Sequence, residues 1–204
     1  MSNYLIINDH RIELTEEQVQ RIIAAYNPGI PTIKLSDIAE GDTFNIGAHE
    51  FIVLEQSGDT TAVIRKDLLP DQAFGDNNNY HDSNVDKTCC KFAYEIAAII
   101  GAENIVKHTV DLTSDDGLKD YGSTNRTCSL LTADLYRRYV EILDQFNPKH
   151  WWWLATAYST PRHDNDVWVS CVSPAGCIYG NNHFNNDYGV RPFLILNSTI
   201  FVSK

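Results

Sequence analysis

The closing stretch Gly189-Val-Arg-Pro-Phe-Leu-Ile-Leu196 constrains this chain more than any other. Val190 and Phe193 to Leu196 are apolar without the alternation of a half-exposed strand. Such a strand must lie centrally in a sheet, or be covered on both faces. It is fed by Asn181-Asn-His-Phe-Asn-Asn-Asp-Tyr188, a run too polar for a core. Gly189-Val-Arg-Pro192, which opens the strand, reads as structural, with Pro192 suited to a strand edge or bulge. Gly189 permits a conformation other residues resist, and Arg191 is expected to bond backbone carbonyls or an acidic neighbour, with anion binding as the alternative.

The residues just upstream repeat the theme of apolar strands next to polar loops. Alternation places Trp151 and Trp153 on one face of a strand and Trp152 on the other. Val167, Val169 and Cys171 point one way, and Trp168, Ser170 and Val172 the other. Ser173-Pro-Ala-Gly176 has Pro and Gly where a type I turn takes them. Cys177-Ile-Tyr179 returns as the partner strand, with Cys171 opposite Ile178 and Cys177 opposite Val172. That register sets the two thiols on opposite faces and predicts no disulfide between them. Trp151 to Leu196 thus reads as a β-rich module displaying an Asn- and aromatic-rich surface for binding.

Earlier in the chain, Tyr4 to Ile7 and Arg11 to Leu14 predict a hairpin. Thr15-Glu-Glu-Gln18 is a capping box opening a helix with Val19, Ile22, Ile23 and Tyr26 on one stripe, stopped by Asn27-Pro-Gly29. This unit, residues 1–30, is an attachment that could pack on the rest, pair with its own copy in a homo-oligomer, or join a larger assembly. From residue 31 to 204 a single domain is predicted. Ile33 to Ile38, Thr43 to Ile46, Glu50 to Gln56 and Thr60 to Arg65 form a meander of short strands. Gly75 to Asp86 is an Asn-rich loop. Val85, Cys89, Phe92, Ile96, Ile99 and Ile100 describe a helix ended by Gly101. Asp111 to Thr127 reads as a long polar loop. Leu131 to Phe146 is a second helix with Thr132 as N-cap and Leu135, Tyr139, Ile142 and Leu143 buried. The class is α+β.

Charge narrows the partners. A formal net charge of -11 over 204 residues, without a run of Lys or Arg, argues against nucleic acid and against anionic membrane surfaces. No apolar segment is long enough to span a bilayer, and the N-terminus lacks the basic region of a signal peptide, so synthesis and residence in a cytoplasm are expected. The five cysteines show no CxxC pair and no His at zinc spacing, so free thiols are expected, and none forms a nucleophile pattern with His and Asn or Asp. Asp111 to Asp120 and His163 to Asp166 are carboxylate-rich without ligand spacing. No metal and no cofactor are expected.

The candidate ligand surface takes Tyr158, Ser159, His163, Asp164, Asn165 and Asp166 from one loop. Trp168 and Ser170 come from the following strand and Tyr179 from its partner. Asn181, Asn182, His183, Asn185, Asn186, Asp187 and Tyr188 complete it. Exposed Tyr and Trp supply contact area at small entropy cost, while Asn, Asp, Ser and His adapt their hydrogen bonds. The other reading is turn chemistry, which gathers Asn, Asp and Gly in any loop. Trp168, Tyr179, Asn182, Asn185 and Tyr188 are expected to form one contiguous solvent-facing patch.

Cys128-Ser-Leu-Leu-Thr-Ala-Asp-Leu-Tyr136, Trp151-Trp-Trp-Leu154 and Gly189-Val-Arg-Pro192, in that order, resemble the bacterial and phage domain of unknown function DUF6273, from about Ile33 to Leu196. Ala155 stands where that family usually has Arg. The resemblance implies a C-type-lectin-like fold akin to the formylglycine-generating-enzyme group and to variable proteins of diversity-generating retroelements. In that arrangement a strand within Thr43–Gln56 lies beside Val190–Leu196. It implies a non-catalytic ligand- or receptor-binding protein of phage or prophage origin, with a virion tail as a destination. The ligand would be a protein or glycan on a cell surface. Residues 158–188 resemble a diversified segment, in which adenine-containing codons yield Asn, Asp, Tyr, His and Ser. Two alternatives stay open: a small enzyme related to the formylglycine-generating group, and a structural decoration of a virion.

Overall fold

The computed structural model describes residues 4–7, 10–15, 17–19, 22 and 32–204. Strands β1 (Tyr4–Ile7) and β2 (His10–Glu13) form the expected hairpin, with Leu5 opposite Ile12. The capping box is present: the Gln18 amide donates to Thr15 Oγ1 at 3.3 Å, and the Thr15 amide donates to Gln18 Oε1 at 2.9 Å. The remaining stripe residues Ile23 and Tyr26, and the Asn27-Pro-Gly29 stop, lie outside the described residues, as does the expected boundary at residue 30.

The rest is α+β with mostly antiparallel sheets, the largest curled into a half-barrel. Its strands are β3 (Thr32–Lys34), β4 (Thr43–Ile46), β5 (His49–Ser57), β6 (Thr60–Arg65), β7 (Ile105–Val106), β10 (Cys128–Ser129), β14 (Phe193–Asn197) and β15 (Phe201–Ser203). The order is β10-β14-β6-β5-β4-β15-β3, with β7 also on β14. The apolar closing strand is central, as its composition requires. Its neighbour differs from the expectation: β14 pairs with β6, Leu194 opposite Val63, and β5 lies one strand further away. The β5–β6 hairpin puts its second strand inward. The chain also continues past Leu196 into β15, which bridges β3 and β4.

Helix α1 (Asn84–Ile100) covers one face of this sheet. Ser83 caps it by accepting from the Asp86 amide, and Gly101 at φ 87° ends it. Buried Asp86 makes a bidentate pair with Arg126, at 2.8 and 2.7 Å. Arg126 lies on β9 (Ser123–Arg126), paired with β8 (His108–Asp111), so the predicted 111–127 loop holds half of a hairpin. Its residues, Ser-Thr-Asn-Arg, have no strand-like hydrophobic pattern. The second predicted helix is broken into α2 (Ala133–Arg138) and α3 (Val140–Leu143), because Tyr139 leaves helical geometry at φ -104°, ψ 13°. Thr132 caps it as expected, accepting from the Leu135 amide.

A three-stranded sheet, β11 (Trp152–Ala157), β12 (Trp168–Val172) and β13 (Ile178–Asn182), separates two cores. Trp153, Val169 and Cys171 join the core under α1. Trp152, Leu154 and Val172 join the core under α2 and α3. The two outcomes of strand alternation at Trp152 and Trp153 are therefore both buried. The turn register is one residue off the expectation. Cys171 faces Tyr179 and Val172 faces Ile178, because the loop spans Ser173 to Cys177, closed by the Ser173 amide on the Cys177 carbonyl. Both thiols are free, Cys171 buried and Cys177 exposed.

Gly189 is required by crowding rather than by an unusual φ. A Cβ there would lie 2.6 Å from Leu68 Cδ1 and 2.9 Å from Leu68 Cβ. Arg191 is fully buried and donates to the carbonyls of Arg65, Lys66 and Phe146 at 3.0–3.2 Å, with its guanidinium 5.2 Å from the Trp152 ring. The carbonyl reading holds, and the acidic neighbour is not among its hydrogen-bond partners.

Candidate functional site

The sixteen candidate side chains divide by strand geometry. In the β12–β13 pairing Trp168 lies opposite Asn182 and Ser170 opposite Gly180, so these four share one face. Val169 lies opposite Asn181 and Cys171 opposite Tyr179, on the other face. One contiguous patch holding Trp168, Tyr179, Asn182 and Tyr188 is therefore ruled out.

Tyr188 also moves from surface to core. Only 4% exposed, it stacks on Trp153 at 4.3 Å between ring centres and leans on Trp151 at 5.5 Å. Its hydroxyl accepts from Asn181 Nδ2. The tyrosine hydroxyl needs a partner when its ring is buried, and Asn181 supplies it from the neighbouring strand. A polar neighbourhood in sequence does not prevent a single Tyr from turning inward. Tyr179, 54% exposed, packs its edge on Trp151 on that same side.

The opposite face opens to solvent at its far end. Tyr158 and Trp168, 48% and 44% exposed, have ring centres 6.4 Å apart. Gly180 lies beneath both: a Cβ would come within 3.1 Å of Trp168 Cε3 and 3.2 Å of Tyr158 Cδ2. The missing side chain is what lets the two rings settle on the sheet. Ser170, one pair further along, is fully buried and its hydroxyl has no hydrogen-bond partner, so it is not a surface contact. Phe184, 60% exposed and absent from the predicted set, stands beside the His183 ring at 5.3 Å. Its sequence signal was an apolar residue inside an otherwise polar run.

The loop between Tyr158 and Trp168 is held by groups that sequence reading passed over. Asn78, fully buried, donates from Nδ2 to the carbonyls of Ser159 at 3.0 Å, Asn165 at 3.2 Å and Trp168 at 3.0 Å. Its Oδ1 accepts from Tyr121 at 2.5 Å. Within Asn77-Asn78-Asn79 only burial distinguishes this residue. Asp116 is the second anchor. It accepts from Ser114 Oγ at 2.5 Å, Ser159 Oγ at 2.6 Å and His163 Nδ1 at 3.0 Å. The Ser114 and Ser159 hydroxyls, with His163 adding to them, hold the Asp116 carboxyl well below its usual range. Asp120 accepts from Thr160 Oγ1 at 2.6 Å and from Arg162. Ser159 is buried, so it and His163 serve as ties from the loop to these acids.

Other candidates also have local duties. Asn165 Oδ1 accepts from the Val167 and Trp168 amides, at 3.3 and 3.1 Å. His183 Nδ1 lies 2.7 Å from the Gly75 carbonyl, and Asn185 Oδ1 accepts from the Asp187 amide at 3.0 Å. Asp164 takes a left-handed conformation, φ 52°, at the end of a single 3-10 turn. Asp164, Asp166, Asn186 and Asp187 are exposed, and Asn182 is half-buried.

Reactive groups lie elsewhere and are muted. Burial pushes the Cys171 thiol up to about 12 and raises Cys128 and Cys90 as well. His108 Nε2 is 2.9 Å from Ser129 Oγ, a contact that looks like half of a nucleophilic pair. Burial drives His108 down to about 4, which makes it a weak base, and Ser129 is 1% exposed. Among the described residues no three His, Cys, Asp or Glu side chains converge as a metal site, and no helix is long and apolar enough to cross a membrane. Compared with protein-family models, curated proteins and solved structures, the chain has no match.

Proposed function

We propose that this is a non-catalytic ligand- or receptor-binding protein that presents Tyr158, Trp168, Asn182 and the nearby Phe184 to a protein or glycan on a cell surface. The observation that carries this is a pair of large aromatic side chains held half-exposed by a frame anchored on buried Asn78. A soluble domain gains nothing in stability by keeping Trp168 in water. A preorganised aromatic surface, by contrast, loses little entropy when a ligand covers it. Asn78 and Asp116 provide that preorganisation from below. Their bonds fix the backbone carrying Tyr158 and Trp168 while leaving the rings uncovered.

The resemblance to DUF6273 fits this reading, with a C-type-lectin-like arrangement, a phage or prophage origin and a tail-associated role as its further parts. Under the retroelement version, diversified codons belong at exposed positions such as Tyr158, Asp164, Trp168 and Asn186. They do not belong at Ser159, Ser170 or Tyr188, where a changed side chain meets a packed interior. A near-repeat of the encoding 3′ segment, differing at adenines of the exposed codons only, is the expected genomic sign. Differences falling equally on the buried codons count against it.

The binding test uses labelled protein on bacterial cells and on immobilised glycans, comparing wild type with Tyr158→Ala and Trp168→Ala. Each variant is expected to lose about 1–3 kcal/mol of affinity for whichever surface the wild type binds. Retention of full binding by both variants rejects the aromatic face as the site.

A further inference from the structure

A second surface, away from the aromatic pair, follows from how little of the half-barrel α2 and α3 can cover. These helices have six and four residues and lie over a face contributed by β5, β6 and β14. Three cavities open along their margin. One of ≈ 430 Å³ contains His108, Ser129 and Thr156, and one of ≈ 340 Å³ contains Ala62, Phe193 and Ile195. The third, of ≈ 290 Å³, contains Leu54 and Ile142. The first two share His108, Thr109 and Leu135, and the last two share Glu55, Arg138 and Tyr139. They form one groove, whose floor is apolar along Leu54, Ala62, Phe193 and Ile195.

Its rim is acidic. Asp111, Asp115, Asp134, Glu55, Glu40 and Glu141 line it. The cations are Arg137, spent on Asp115 and Asp134, and Arg138, spent on Glu55. Asp111, Glu40 and Glu141 have no cation within ion-pair distance among the described residues; the Lys119 charge reaches Asp111 from further off. Half-buried His108, at the junction of the first two cavities, stays neutral near pH 7 and does not offset this charge.

We infer that this groove docks an extended segment of a partner protein, with Lys or Arg side chains on the acidic rim and apolar ones on the Phe193–Ile195 floor. Charge decides the occupant. A second copy carries the same net charge of -11 and no run of Lys or Arg to offer. Anionic lipid headgroups meet the same repulsion. The inference is independent of the aromatic face, because no residue of the groove belongs to that face.

The test is fluorescence anisotropy of a labelled peptide of about ten residues alternating Lys and Leu, against a Glu–Leu control peptide. The triple variant Glu40→Gln, Asp111→Asn, Glu141→Gln should weaken binding of the basic peptide about tenfold. Asp76→Asn, Glu95→Gln, Glu103→Gln makes the same charge change elsewhere and should leave it nearly unaltered. Hydrogen exchange on the wild-type protein needs no variant to fold, and should show protection along 133–143 and 193–195. Equal losses in both triple variants would mean diffuse acidity and overturn the proposal. So would an absence of saturable binding, protection at other residues, self-association that covers the groove, or binding to phosphatidylglycerol vesicles that the same peptide cannot displace.

Discussion

The two faces of the β11–β12–β13 sheet carry aromatic residues of the same kinds to opposite fates. On one face Trp153 and Tyr188 stack at 4.3 Å and are almost dry. On the other Trp168 and Tyr158 meet at 6.4 Å and remain nearly half in water. Strand alternation sets Trp153 and Trp168 on their opposite faces. The difference lies in what each face meets next. Residues 72–74 pass over the first, where the Gln72 amide bonds the Tyr188 carbonyl and the Phe74 ring stands 5.7 Å from Trp153. Tyr158 and Trp168 instead rest on Gly180 and stay nearly half exposed. Alternation assigns a side chain to a face, whereas exposure depends on chain segments remote in sequence.

Equilibrium denaturation can break this contrast directly. Tyr188→Ala should cost about 3–5 kcal/mol, the range for emptying a packed aromatic site, whereas Trp168→Ala should cost about 1 kcal/mol or less. Similar midpoints for the two variants would mean that the faces are equally structural.

Asn78→Ala sharpens the contrast, since it removes the frame without touching either ring. Three carbonyls lose a donor and the Tyr121 hydroxyl loses its acceptor, so a loss of about 2–3 kcal/mol is expected. Faster hydrogen exchange should be confined to roughly 159–168. Uniformly faster exchange throughout the domain would show instead that Asn78 supports the whole core.

The Asp116 anchor predicts a pH signature of known sign. Its folded pKa lies below the ordinary carboxylate value, so its stabilisation is complete above that value. It is lost as pH falls through the folded pKa. Wild type should therefore melt higher than Asp116→Asn at neutral pH, with the gap narrowing as the solution is acidified below about pH 4. A gap that widens in acid would reverse the assignment. The smallest effect concerns the thiols. Brief iodoacetamide treatment of native protein should modify exposed Cys177 and leave Cys171 intact, as mass spectrometry would show. Rapid labelling of Cys171 would indicate that its face opens.

Local chemistry carried much of this fold into the sequence. The Thr15–Gln18 box, the Thr132 cap, the Gly101 stop and the opposed Trp152 and Trp153 were all legible, because each depends on neighbours a few residues away. What depends on distant partners was not. Val190–Leu196 clearly needed two neighbours, but nothing in it distinguishes β6 from β5. The β9 strand is polar because its bonds run to β8 and its Arg126 to Asp86. Tyr188 and Asn78 fail for a related reason: an inward-facing polar residue looks like its outward-facing neighbours until its partners are known. The candidate site was legible as a region, and its sorting into rings, ties and core residues required the fold.

The pairing of β15 has a consequence for how the protein is made. Phe201 to Ser203 bond back to Thr32 to Lys34, and Ser203 sits opposite Asn45. Among the described residues strand β3 has no other partner in the sheet, so during translation it waits until nearly the whole domain has left the ribosome. The curled sheet is thus completed by a late arrival joining an early one. Nascent chains of increasing length should gain protection at Val53 and Val63 well before Ile33 becomes protected, and an edge left waiting that long is exposed to pairing with neighbouring chains.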